Sequence, residues 1–253
     1  MDSERKPTKV LFVGFGNVGQ KVAEILYLEH EKHPQIHGLD LSIIGIVTKS
    51  RGSLVNNNGI DVAKALHEIR DLGRFSWTNF ELTSIKAPEA VLQLDYDVLV
   101  ELSTLSIVGR GEPALSHVRE ALRRGKHVVT ANKGPAAFAY NELRSLAEKN
   151  RVSFLHESTV MDGTPVFNLA RNGLKGCTIT GVSGVLNSTT NFVLSRMEKG
   201  ESIEEAVKVA QKEGFAEADP RNDLEGWDAA AKISVLANAL MGAAITPLDV
   251  DRQ

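Results

Sequence analysis

The sequence predicts an α/β fold in which a parallel sheet covered by helices is followed by a smaller α+β domain, and three observations carry this reading. Short β-branched runs alternate with helical patterns through the first half, as in βαβ units. A cluster of glycines joins the first such run to the first helical pattern. After residue 156 the alternation gives way to mainly helical patterns, so the domains are read as 1–156 and 157–253.

In chain order, "KVLFVGFG" (9–16) is an apolar strand running into glycines, and "NVGQKVAEILYL" follows as a helix with Val18, Val22, Ile25 and Leu26 on one face. "LSIIGIV" (41–47) is a second strand and "RGSLVNNNGI" (51–60) a polar loop. "DVLVELS" (97–103) and "HVVTAN" (127–132) are later strands, separated by "PALSHVREALRRG", a helix stopped by Gly125. "NELRSLAEKNRVSFLHES" is a helix and then a strand. In the second domain "GCTITGVSGVLN" (176–187) reads as a strand. "ESIEEAVKVAQKEG" opens with a capping box of Ser202 and Glu205, and one long helix is expected from about 222 to 240.

Composition narrows the class of partner. With 253 residues, 42% of them hydrophobic, the chain is large enough for a substantial core. Its 29 basic and 32 acidic residues are interspersed and give a net charge of −3, so no basic field awaits nucleic acid or an anionic membrane. A small molecule is the expected partner. Cys177 is the single cysteine, which fits a reducing compartment. The N-terminus carries no apolar signal core, and no apolar run approaches the ~20 residues that span a bilayer. A cytoplasmic protein is expected.

Gly14, Gly16 and Gly19 form G-x-G-x-x-G between the first strand and the first helix. The chemistry of a pyrophosphate requires that context: a tight turn, close backbone approach and helix amides aimed at the anion. Gly14, Phe15, Gly16, Asn17, Val18 and Gly19 are therefore read as the dinucleotide-binding turn of a Rossmann-type domain. An acid at the end of the second strand usually holds the adenosine ribose, but here Thr48, Lys49, Ser50 and Arg51 follow it. Lys49 and Arg51 suit a 2′-phosphate, which favours NADP and leaves NAD open; the alternative is that they begin a solvated loop.

Four further segments, "VVTANKGP" (128–135), "ESTVMDGTPV" (157–166), "GVLNSTTNFVL" (184–194) and "GFAEADPRNDLEGWDAAAK" (214–232), resemble in this order the diagnostic segments of the homoserine dehydrogenases. The resemblance runs from about residue 9 to 251. It implies NAD(P)H-dependent reduction of L-aspartate 4-semialdehyde to L-homoserine, in threonine and methionine biosynthesis. It implies Lys232 as the proton donor, and Glu217 and Asp228, with Asp223 as a third member, as acids that hold the substrate. Lys133 matches a lysine between nicotinamide and substrate. Ser103 stands where a threonine is usual, next to Thr104, close to the cofactor. The 157–166 loop resembles a site for a monovalent cation such as Na⁺ or K⁺, bound by the backbone carbonyls of Glu157, Val160, Asp162 and Thr164. Met161 and Asp162 replace small residues there, and Ser188 replaces a glycine of the 184–194 loop. A homodimer is the implied assembly.

The residue types fit that chemistry. Hydride delivery to an aldehyde carbon leaves negative charge on the oxygen, which a positioned ammonium stabilises and then protonates. Lys133 would be a second cation beside Lys232, and carboxylates would hold the substrate's α-ammonium. Asp228 and Lys232 stand four apart, on one face of a helix. Such pairs are commonly exposed and worth a few tenths of a kcal/mol, but Ala229, Ala230 and Ala231 and the apolar run after Lys232 indicate a slim, buried helix instead. The seven histidines form no His-x-x-x-His or Cys/His cluster, which argues against catalytic zinc. His127 and His156 are read as structural.

Family members continue beyond the point matching "ITPLDVDRQ". The resemblance therefore implies either a piece of a longer protein or a shortened relative, in both cases with an unpaired sheet edge and exposed apolar surface in the second domain that favour dimerisation or else poor stability. A nucleotide-binding relative without turnover is the second reading of the same residues.

Overall fold

A computed structural model of the chain describes residues 6–32, 40–76, 82–214, 216 and 220–252. The chain forms two compact units, Met1–Pro135 with Glu142–His156 and Ala136–Asn141 with Glu157–Gln253.

The first unit is built on strands β1 (Thr8–Val13), β2 (Leu41–Val47), β3 (Ser53–Val55), β4 (Leu82–Thr83), β5 (Val98–Glu101), β6 (His127–Thr130) and β7 (Phe154–Leu155). They join in one seven-stranded sheet of order β4-β3-β2-β1-β5-β6-β7. Its helices are α1 (Asn17–Lys32), α2 (Val62–Leu72), α3 (Ala87–Gln93), α4 (Ala114–Arg123) and both ends of α5 (Lys133–Asn150), whose residues Ala136–Asn141 belong to the second unit. Pairing is parallel from β2 through β1, β5 and β6 to β7. Val10, Leu11, Phe12 and Val13 are all buried, the continuous apolar run expected of a strand covered on both faces. The sheet is mixed at one edge, because the 51–60 segment read as a loop contains β3, which pairs antiparallel with β2 and then with β4. Asn56 accepts from the Gly59 N–H in the turn that follows.

Helix α1 differs in its buried face. Val18 and Ile25 are exposed, at 53% and 42%, while Gly19, Val22, Ala23 and Leu26 turn inward. That set is spaced i, i+3, i+4, i+7, a stripe centred on small residues that let the helix lie close to the sheet. The backbone of α5 leaves helical geometry at Ala139 (φ −145°, ψ 28°).

The second unit contains α6 (Ser158–Met161), α7 (Val166–Asn168), a π-helical turn over Leu169–Gly173, α8 (Ser188–Met197), α9 (Ile203–Lys212), α10 (Arg221–Leu224) and α11 (Trp227–Met241). Val193 of α8 packs with Ala206 and Ala210 of α9 and with Ala216. The capping box is formed: Ser202 Oγ accepts from Glu205 N at 3.3 Å, and the Glu205 carboxylate accepts from Ser202 N at 3.0 Å.

Two expectations are corrected here. The 176–187 segment is not a strand; it runs without regular structure and largely exposed, since a strand exists only through a partner and none pairs with it among the described residues. The single helix expected over 222–240 is two, α10 and α11, separated at Gly226 by a left-handed φ of +74° that a helix interior cannot hold. Arg252 covers this break, with its guanidinium 3.3 Å from the Trp227 ring centroid and Nη1 donating to the Glu225 carbonyl at 2.9 Å.

Candidate functional site

In the first unit the strand order reverses direction between β1 and β5, and the crevice beyond the carboxyl ends of such neighbours is where an open α/β sheet binds ligands. A cavity of about 820 Å³ lies there, lined by Gly14, Phe15, Gly16, Lys49, Arg51, Ser103 and Thr104, among others. Asn17, Val18, Gly19 and Lys133 are not among its lining residues. Asn17 and Val18 open the first turn of α1, and Lys133 opens α5.

The fingerprint glycines differ in what they make possible. Gly14 has φ +95°, and a Cβ there would meet the Leu102 carbonyl carbon and oxygen at 2.6 Å and Ser103 N at 2.8 Å. A Cβ on Gly19 would stand 2.9 Å from the Gly14 carbonyl oxygen, so α1 sits directly on the turn. Gly16 has nothing within 4 Å of its missing Cβ, so the backbone there leaves open space for a bulky ligand. A bare turn at a helix N-terminus, with room beyond it, fits a pyrophosphate.

At the adenosine end, Thr48 Oγ1 donates to the Gly52 carbonyl (2.6 Å) and accepts from Arg51 N (2.9 Å), which holds the turn presenting Lys49 and Arg51. Arg74 and Lys86 line a smaller recess with these two cations, and Lys86 lines the main cavity as well. No ion pair engages any of the four among the described residues. Sequence reading missed Arg74 and Lys86 because they arrive from distant segments with no local pattern to mark them.

The second unit gathers the candidate chemical residues. Lys232 Nζ donates to the Leu186 carbonyl at 2.6 Å and is 2.8 Å from Asp228 Oδ2; the two side chains are 15% and 13% exposed. Asn187 Nδ2 donates to Asp223 Oδ1 (2.8 Å) and to Asp228 Oδ2 (3.0 Å), bridging the two acids. Its own Oδ1 accepts from Thr190 N and Oγ1, capping α8. Asp223, Asp228 and Lys232 are thus brought together, with Asn187, which lies in the 184–194 segment and precedes α8, as their hub. Among the described residues the cluster holds two carboxylates and one ammonium, an excess of acid that suits a cationic group on a ligand. Glu217 lies outside the described residues.

In the 157–166 loop the Glu157 carboxylate accepts from Phe167 N (2.8 Å) and Asn168 N (3.1 Å), tying down the start of α7. Val160 is buried in α6, Asp162 has φ +48°, and the Thr164 carbonyl accepts from Val166 N at 2.9 Å. No group of three or more His, Cys, Asp or Glu side chains among the described residues is placed to hold a metal.

A doubly wound sheet with a glycine turn at its switch point in one unit, and a lysine paired with carboxylates in the other, are the features of a nicotinamide-dinucleotide oxidoreductase. Comparison with known proteins gives the family. The model described as homoserine dehydrogenase, NAD binding domain, matches residues 14–157, and the homoserine dehydrogenase model matches 165–253. An NAD(+)-dependent homoserine dehydrogenase from Pseudomonas canavaninivorans is 40% identical over 96% of this chain and 68% of its own length. A homoserine dehydrogenase from Methanocaldococcus jannaschii is 38% identical over 95% of this chain and 71% of its own. Among solved structures, a putative homoserine dehydrogenase from Archaeoglobus fulgidus superposes with a TM-score of 0.82 at 39% identity, over 97% of this chain and 72% of that one. A hyperthermophilic archaeal homoserine dehydrogenase in complex with NADPH gives 0.82 at 29% identity, over 97% and 75%. The chain belongs to the homoserine dehydrogenase family, NAD(P)-dependent oxidoreductases acting on a CH–OH group.

Proposed function

We propose that this chain reduces L-aspartate 4-semialdehyde to L-homoserine with NADPH in preference to NADH, a step of threonine and methionine biosynthesis. The observation that carries this reading is the Lys232–Asp228–Asn187–Asp223 cluster, in which an ammonium is held by a carbonyl and a carboxylate beside a second carboxylate. The nicotinamide, when bound, supplies a hydride to the aldehyde carbon. Lys232 neutralises the charge that develops on the oxygen and donates a proton to it, giving the alcohol. Asp223 and Asp228 bind the substrate's α-ammonium, with Glu217 as a further acid by resemblance. Lys133, first residue of α5, is the second cation of the reading.

The cofactor preference rests on Lys49, Arg51, Arg74 and Lys86 where a ribose-binding acid would otherwise stand. The relative described as NAD(+)-dependent keeps NAD in play. A monovalent cation on the carbonyls of Glu157, Val160, Asp162 and Thr164 belongs to the same reading, and rate activation by K⁺ or Na⁺ salts tests it. So do a homodimer, supported by the exposed, irregular 177–185 segment with its apolar residues and tested by sedimentation, and a cytoplasmic setting, supported by a single exposed cysteine.

The experiment is NADPH consumption on adding the semialdehyde, with Lys232→Ala alongside. Turnover in the wild type, falling about 10²–10⁴-fold in the variant, supports the proposal. NADPH binding without turnover would favour a nucleotide-binding relative instead.

A further inference from the structure

Glu101 is fully buried at the carboxyl end of β5, a charged residue within an otherwise apolar strand. Its two carboxylate oxygens are separately engaged. Oε1 accepts from Ser103 N at 2.8 Å, and Oε2 lies 2.8 Å from Nδ1 of His117 on α4, itself buried. Oε2 and Nδ1 are thus joined by one hydrogen bond inside the protein. The other ring nitrogen, Nε2, is buried with no hydrogen-bond partner among the described residues, and His117 is one of the residues lining the dinucleotide cavity. Burying this pair carries a desolvation cost that an apolar pair of similar size would avoid. Packing alone does not account for it.

The hydrogen bonds lead outward from the pair. Glu101 holds the Leu102–Ser103 peptide, the backbone against which Gly14 is wedged. The Ser103 carbonyl and Oγ accept from Asn132 Nδ2 at 2.9 and 3.3 Å. Asn132 Oδ1 in turn accepts from Gly134 N at 2.9 Å and caps α5, whose first residue is Lys133. Gly134 packs so closely on Gly111 that a Cβ would stand 2.9 Å from the Gly111 Cα, so the end of α5 has little freedom to shift. One continuous path therefore links His117 to the cavity wall at Ser103 and to the residue before Lys133.

We infer that Glu101 and His117 form a positioning dyad that fixes the Ser103 wall and the start of α5, and so the alignment of the nicotinamide with Lys133. The inference rests on the proposed reaction for what is aligned, but the dyad has its own readout. The sequence contains a trace of it in Glu101, an acid set among apolar residues near the end of "DVLVELS".

The test compares His117→Leu, which removes the hydrogen-bonding ring, with His117→Asn, which keeps a polar side chain able to bond Glu101 near the Nδ1 position. NADPH is titrated into each by fluorescence, and kcat and KM for the semialdehyde are measured separately. For His117→Leu the expected result is NADPH Kd within about threefold of wild type, about half of the nicotinamide fluorescence enhancement lost, and kcat about ten- to a hundredfold lower at little-changed KM. His117→Asn recovers most of both losses. Wild-type enhancement and kcat in His117→Leu would overturn the inference, as would equal loss of NADPH affinity in the Leu and Asn proteins. Should His117→Leu not fold, His117→Met replaces it, because it too removes the ring that bonds Glu101; enhancement equal to wild type there is the overturning result. A wild type that binds NADPH but turns over no semialdehyde sinks the proposed reaction, while the fluorescence comparison still decides the dyad.

Discussion

Asn187 shows how much can rest on one side chain. Its oxygen caps α8 and its amide nitrogen ties Asp223 to Asp228, so the acids proposed to hold the substrate are registered against a helix start. Asn187→Ala should cost about 1 kcal/mol of stability through the lost cap. It should also raise the KM for the semialdehyde by roughly tenfold, as a lost hydrogen bond to a charged group would, with NADPH affinity unchanged; steady-state kinetics and NADPH titration check this. The family resemblance singled out Asp223, Asp228 and Lys232, which fall in one contiguous stretch, whereas an Asn just before a helix has a capping role to account for it and nothing local that marks its bridge to the two acids. At Gly14, alanine would combine a left-handed φ of +95° with contacts of 2.6 Å to backbone. That conformation costs an L-residue about 1–2 kcal/mol before any clash is counted. Gly14→Ala is expected to lower the melting temperature and abolish NADPH binding, and a variant that binds normally would contradict the reading of the turn.

At the scale of elements, periodicity located the central strands and the main helices, because a strand covered on both faces and a helix on the sheet each leave a regular apolar pattern. What escaped depends on partners or on single backbone angles. β3 and β4 are short and polar enough to look like loop, 176–187 has strand-like residues but no ladder, and Gly226 breaks a helix that composition alone would continue. Tyr96, fully buried just after α3, donates its hydroxyl to the Val91 carbonyl at 3.1 Å, and Arg124 donates to the same carbonyl. Burial pushes the Tyr96 hydroxyl up to about 12 from 10.0, against a smaller opposing effect of Arg124. A raised folded-state pKa means stability that is intact below pH 10 and lost as pH rises towards 12. The linked loss is roughly 2–3 kcal/mol. Melting curves at intervals across that alkaline range should fall more steeply for wild type than for Tyr96→Phe, and parallel slopes would contradict the assignment.

Over the whole molecule, the α/β class and the dinucleotide turn were readable from alternation and three glycines, but the cavity draws its walls from segments far apart in the chain. Arg74 and Lys86 join Lys49 and Arg51 only once the sheet edge has formed. A ligand bound by the folded chain alone stabilises it, by about 2.7 kcal/mol at a hundred times its Kd. At equal concentrations NADPH should therefore raise the melting temperature more than NADH, and a Lys49→Ala/Arg51→Ala protein should lose that difference. Equal shifts in the wild type would remove the case for NADP preference. The central claim is that the Lys232 cluster of this chain carries out the reduction. Its most direct test is the rate of NADPH oxidation when L-aspartate 4-semialdehyde is given to the 253-residue chain and, in parallel, to Lys232→Ala. The account expects turnover in the first and a rate lower by about 10²–10⁴ in the second, with NADPH still bound; equal rates in the two proteins would contradict it.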